Sequence, residues 1–520
     1  MVRGTHSTEK RVAGLEPQNG QSGRITNQES LNALRQWLLP NDGIFASLSF
    51  HGNTTWLPRS LVWLALCWAW SGQENVTDAF KAAVQCCDQM LERTPLTSYT
   101  GFMGALTTWS SRLINLLFQV LHARMKEIGG KFWKVGKWIA IGFDGSRSSA
   151  PRSKANEKAL CPPGYGTGKT AQYRRKGKGK RKKKAQKALK YYTRKQQLLR
   201  KKKAIELKLQ KEHGHAPMPQ QPQAWITMMW HMGLRLPWMW RLGPSNSSER
   251  EHVILMVNEG KFPENTLFCG DAGFVGYPLW SAIRNKRHHF LVRVGANVSL
   301  LKESLDLTQQ ENDEVLCWPK DAVTAGSPPL RLRLVRVLIG KTKVWLLTSV
   351  LDQEDLSVEE MVKLYKMRWG IEVEFRGLKQ TLGCSLLCCH NDKRLMVELD
   401  WSIMAMAIAE LFGLKEQLAK KHSSRQNKQP PSHPQKRSLA NIMRVLRPCL
   451  LQPNQRPKSG ADLATLLRGA VTDSYIRTAS KKSRHRPANP DKKPLGDPKV
   501  RQLTEKQKTK INALTHKRAT

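Results

Sequence analysis

The chain has 520 residues, 40% of them hydrophobic, which leaves room for about two to four domains around at least one substantial core. Its 86 Lys and Arg stand against 41 Asp and Glu, a formal charge of +45 that selects a polyanionic partner, nucleic acid ahead of an anionic membrane. The longest apolar runs, at 61–70 and 403–414, fall short of the ~18 to 20 residues of a membrane span, so no membrane association is expected.

The opening MVRGTHSTEKR has no apolar signal segment, which implies a cytoplasmic chain whose ten cysteines are free thiols. Residues 1–28 are polar and read as disordered. From 29 to 130 apolar residues recur at steps of three and four, the pattern of a helical N-terminal domain in which Trp63, Trp68 and Trp70 are core. At KWIAIGFDGS the period changes to two, and 131–149 is expected to hold a buried strand ending at Asp144. A basic excursion follows at 150–222. Its segment 174–203 has 17 Lys or Arg and no acid, enough to bind phosphates whether helical or disordered.

Between 223 and 297 the pattern gives two strands (AWITMMWHM, LPWMWRL), a serine-capped helix (SSEREHVILMVNEG), a strand running into a turn at Asp271 (TLFCGDAGF), a helix and a strand. Residues 298–342 read as an acidic, loop-rich piece followed by a strand, and 343–420 as a strand, a helix introduced by SVEE in capping-box form, and an apolar helix. From 421 to 520 Pro, Ser, Lys and Arg dominate, and the tail reads as basic, DNA-facing and largely disordered.

Two motifs invite other chemistry. GYGTGKT at 164–170 ends like a P-loop, but Pro163 stands where its first glycine is needed. Cys384, Cys388, Cys389 and His390 fit no common zinc spacing and read as small hydrophobes.

In YKMRWGIEVEFRGLKQTLG, at ~100° per residue, Tyr365, Arg368, Glu372 and Lys379 share one stripe roughly 60° wide beside the apolar stripe. Such a stripe suits a cleft wall. Asp144 and Asp271 each follow an apolar strand, so neighbouring strand ends and one flanking helix can bring Asp144, Asp271 and Glu372 together. Three carboxylates need a cation, and oxygen ligands select Mg²⁺ or Mn²⁺; two such ions form a clamp for in-line displacement at a phosphodiester.

Tyr365, Arg368, Glu372 and Lys379 stand at the spacings of a known signature, and DGSRSSAPRSKANE at 144–157, DAGF at 271–274 and LLTSVLD at 346–352 accompany them. On these motifs the stretch 130–415 resembles the DDE transposases of bacterial insertion sequences, the insertion sequence four type. The resemblance implies an α/β core, a ribonuclease H-like mixed sheet flanked by helices with a β-rich insertion at 298–342 before the last catalytic helix. Asp144, Asp271 and Glu372 would hold two metal ions, with Tyr365, Arg368, Arg376 and Lys379 on DNA phosphates and Trp318 as candidate to stack on a flipped base. It implies cleavage at transposon ends and 3′-end transfer to double-stranded target DNA by a synaptic homodimer, in a bacterial, nucleoid-associated protein. A non-catalytic DNA-binding descendant and a nuclease without strand joining are the rival readings.

Overall fold

The computed structural model describes residues 26–51, 54, 56–90, 96–161, 221–303, 312–340, 342–419, 433–452, 455, 461–472 and 496–519. Most of the basic excursion, the P-loop-like stretch and the terminal residues 1–25 lie outside them.

The N-terminal part is helical, with α1 (Asn27–Leu38), α2 (Pro58–Trp70), α3 (Val76–Met90) and α4 (Tyr99–Gly129). A capping box of Thr26 and Glu29 starts α1, and Pro58 starts α2 at a position where its missing N–H costs nothing. Trp63, Trp68 and Trp70 are buried, as their apolar run required.

Next come β1 (Ile139–Ser149), α5 (Lys154–Leu160), β2 (Gln223–His231), β3 (Leu236–Gly243), α6 (Glu249–Glu259), β4 (Thr266–Gly270), α7 (Tyr277–Asn285) and β5 (His289–Val294). β6 (Ser299–Lys302), β7 (Asn312–Cys317), α8 (Lys320–Thr324), β8 (Leu330–Ile339) and β9 (Thr342–Thr348) precede the signature region. That region is two helices, α9 (Val358–Arg368) and α10 (Gly370–Gln380), followed by α11 (Asp392–Leu418).

All ten strands share one mixed sheet in the order β10-β6-β7-β8-β9-β5-β4-β1-β2-β3, where β10 is Lys499–Gln502. β1 and β4 run parallel, as do β4 and β5, while β2 and β3 return antiparallel beside β1. The expected β-rich insertion is therefore no separate body: β8 pairs with β9 along seven residues and carries the sheet outward.

Helices flank this sheet. The long α11 is buried on nearly every face, the reason its sequence lacks a polar stripe. It joins the two parts of the chain. Trp70 Nε1 donates to Ala405 O at 2.8 Å, and Trp401 Nε1 donates to Ser110 Oγ at 2.7 Å.

Three expectations change. The first strand does not end at Asp144: it pairs with β2 from Ile141↔His231 to Ser149↔Gln223, because Ser146, Ser148 and Ser149 tolerate a hairpin ladder as well as a turn. The signature helix is interrupted at Trp369, where Glu372 N bonds to Trp369 O at 3.2 Å, a tightened three-residue step. Gly370 explains the site of the break, since a Cβ there would lie 2.1 Å from Trp230 Cη2. Finally, the described part of the tail folds into α12 (Leu439–Leu451), α13 (Leu463–Arg468), β10 and α14 (Glu505–Ala519). In α12 Leu439, Ile442, Met443, Leu446 and Leu450 form a buried stripe that the average composition of the tail conceals.

Candidate active site

The parallel register of β1 and β4 closes with Gly142↔Cys269, so Asp144 and Asp271 both stand two residues beyond it. Neighbouring strands lie ~4.8 Å apart, which sets these carboxylates side by side where β4 ends and β1 continues. Asp144 Oδ1 accepts from Gly145 N at 2.8 Å within β1, and Asp271 Oδ1 accepts from Gly273 N at 2.8 Å in the turn after β4. Glu372 arrives from the first turn of α10 and is exposed.

Electrostatics ties the three together. Burial pushes the Asp144 carboxyl above its ordinary range, the Gly145 N–H and the Arg368 guanidinium pull it back, and Asp271 and Glu372 push it up again. Among the described residues, no three His, Cys, Asp or Glu side chains lie close enough to hold one metal ion. The donor set is nonetheless all carboxylate oxygen around an underneutralised Asp144, the chemistry of a hard divalent cation. The residues fit the ion in kind, and the acids would have to draw inward around it.

The protein's own cation here is Arg368. Its side chain is 5% exposed and places Nη1 3.6 Å from Asp144 Oδ2, a charge contact longer than a hydrogen bond. Its Nε and Nη1 have no hydrogen-bond partner, and the guanidinium lies 5.6 Å from the centre of the Tyr365 ring.

The proposed DNA contacts fall in different places. Tyr365 and Arg368 are buried beside Asp144 rather than presented to solvent. Lys379 is half-buried, with Nζ donating to Ser146 Oγ at 2.7 Å, and burial lowers its pKa. Arg376 is exposed. Trp318 is packed inside, 4% exposed, with its indole N–H donating to Ser327 O at 2.7 Å. Its ring is a packing element in this structure. Among the described residues Cys384, Cys388, Cys389 and His390 form no group of three candidate ligands, and Cys388 is the exposed cysteine of the three.

One acid escaped the sequence reading. Glu249, in the first turn of α6, packs so tightly on Gly145 that a Cβ there would sit 2.1 Å from Glu249 Oε1. Burial, then Asp144 and Asp271, push its carboxyl up to about 7, against the pull of Arg147. An acid in a first helical turn is ordinary helix chemistry, and this disguised it. The usable signal was that α6 follows the β2–β3 hairpin, whose strand β2 pairs with β1 through Asp144 and Gly145.

With the geometry in place, comparisons with known proteins can be weighed. Residues 232–408 match the family model of the Transposase DDE domain. The matched span contains Asp271 and Glu372, while Asp144 lies before it. A protein of Sinorhizobium fredii (strain NBRC 101917 / NGR234), y4zB, which carries a provisional transposase name, is 24% identical over 145 residues, or 27% of this chain and 41% of that one. A solved cryo-EM structure, the piggyBac transposase synaptic complex with hairpin DNA, is 10% identical over 87% of each chain with a TM-score of 0.36, a likeness too loose to carry an argument.

Proposed function

We propose that the chain is a DNA transposase that cuts phosphodiesters at transposon ends and joins the freed 3′ ends to target DNA. The observation that supports the reading is that the charges of Asp271 and Glu372, far apart in sequence, both act on a half-buried Asp144 carboxyl. The transposase DDE-domain match over 232–408, the Tyr365, Arg368, Glu372 and Lys379 spacing and the +45 charge point the same way. The order β3-β2-β1-β4-β5, parallel across β1, β4 and β5, supports a ribonuclease H-like core of the insertion sequence four type.

Asp144, Asp271 and Glu372 would hold two Mg²⁺ or Mn²⁺ ions, which when bound activate the attacking hydroxyl or water and stabilise the leaving 3′ oxygen. Arg368 keeps the Asp144 carboxylate charged and facing the cleft. Arg376 grips a backbone phosphate from the rim, a contact that adds affinity without reading bases. Ser146 holds Lys379 at the cleft wall. Cutting and joining two ends calls for a synaptic dimer.

A duplex carrying the inverted repeats that flank the coding region, incubated with the full chain and Mg²⁺, tests this. Wild type is expected to nick and join it, and Asp144→Asn to bind it without cutting. Wild type that binds and never cuts establishes a DNA-binding descendant instead, and cutting without joined product establishes a nuclease.

A further inference from the structure

On the side of α10 away from the cleft lies a second set of charges that the proposed chemistry does not use. Arg437, from the short segment before α12, has a side chain only 3% exposed. Its Nη1 donates to Leu234 O at 2.9 Å and its Nη2 to Arg235 O, the two carbonyls of the turn between β2 and β3. The same Nη2 lies 3.5 Å from Glu374 Oε1 of α10 and 3.4 Å from Glu410 Oε2 of α11, both carboxylates being 4% exposed. One guanidinium thus touches a strand turn and two helices, which its planar fork of donors permits and a lysine ammonium does not.

Each anchor leads to the cleft. Glu374 is two residues from Glu372 on α10. The turn adopts a left-handed conformation at Arg235, φ 57°, unusual for a non-glycine residue, and the Arg235 guanidinium lies 5.4 Å from the centre of the Trp230 ring. Trp230 in turn abuts Gly370 at the start of α10 and pairs with Gly142, two residues before Asp144 on β1.

We infer that Arg437 is a positioning residue that sets α10, and with it Glu372, against the strand bearing Asp144. This assignment rests on the reading of Glu372 as a site residue. The segment carrying Arg437 then belongs to the machinery of the cleft, although Arg437 itself lies on the far side of α10.

Hydrogen exchange on the full-length chain tests the clamp without requiring chemistry. In Arg437→Met, peptides over 369–380 and 230–236 are expected to exchange about tenfold faster or more beyond any increase shared with peptides from α2; Arg437→Lys falls between. On a cleavable DNA end, kcat falls in Arg437→Met while KM for DNA holds. Exchange that is unaltered, or raised evenly along the chain, overturns the assignment. Should the methionine variant not fold, Arg437→Lys and Glu410→Gln carry the same regional comparison. Wild type that never cuts DNA defeats the transposase reading alone, and the exchange map still decides the clamp.

Discussion

Glu372 and Glu374 are two residues apart on α10, about 200° around the helix, and they live in opposite surroundings. Glu374 is sealed in a knot where two carboxylates meet Arg437, with Arg235 acting on the same charges. Glu372 is exposed and its charge acts on Asp144, as that of Asp271 does, while Asp144 and Asp271 act on Glu249 and Arg368 is the cation in contact with Asp144. The knot is balanced from within. Around Asp144 the like charges of Asp271 and Glu372 work against the pull of Arg368, a tension that the proposed metal ions would relieve.

Neutralising the cleft side should give the largest effect. Glu372→Gln is expected to lower cleavage of a cognate end by about 10² to 10³-fold, the scale for losing one preorganised charged group, in a single-turnover assay. Because Glu372 is exposed, the variant's unfolding free energy from urea denaturation should stay within about 0.5 kcal/mol of wild type. The knot should behave in reverse: Arg437→Met leaves two buried acids with Arg235 alone to oppose them and should cost about 3–5 kcal/mol in urea unfolding.

Gly370→Ala probes the seam between the two sides. Its Cβ would lie 2.1 Å from Trp230 Cη2, an overpacking expected to cost about 1–3 kcal/mol and to reduce cleavage by shifting α10.

The smallest effect concerns Glu249. A carboxyl raised from 4.5 to about 7 on folding binds more protons in the folded state between those values, so its contribution erodes stability as pH rises through that window. Glu249→Gln should flatten the decline and stabilise the protein at pH 8 by on the order of 1 kcal/mol, discounted for partial exposure. If melting profiles across pH 5 to 8 coincide for the two proteins, Glu249 does not feel the other acids.

Much of the cleft was legible because it depends on local signals. Apolar runs located β1 and β4, and Ser357 and Glu360 formed the expected capping box, whereas the continuous helix expected from Arg368 to Glu372 is broken at Trp369, with Arg368 buried and Glu372 exposed. What escaped was set by pairing partners remote in sequence. The extension of β1 past Asp144 depends on β2, nearly eighty residues on, and the break at Trp369 depends on Trp230 filling the space beside Gly370. Arg437 was invisible for a similar reason: in a tail dense with Lys and Arg, nothing local distinguishes a guanidinium that will be buried between two helices from one left in water.

The pairing of β10 with β6 also bears on how the molecule behaves in company. Lys499–Gln502 lies parallel on Ser299–Lys302, Trp345 Nε1 donates to Asp497 Oδ1 at 2.6 Å, and Leu503 is buried behind. A bare outer strand offers a row of open amides and carbonyls to any passing copy, and this late segment hems it. Trimming the protein before residue 496 would therefore trade a tidy border for a sticky one, with clumping at high concentration as the visible sign.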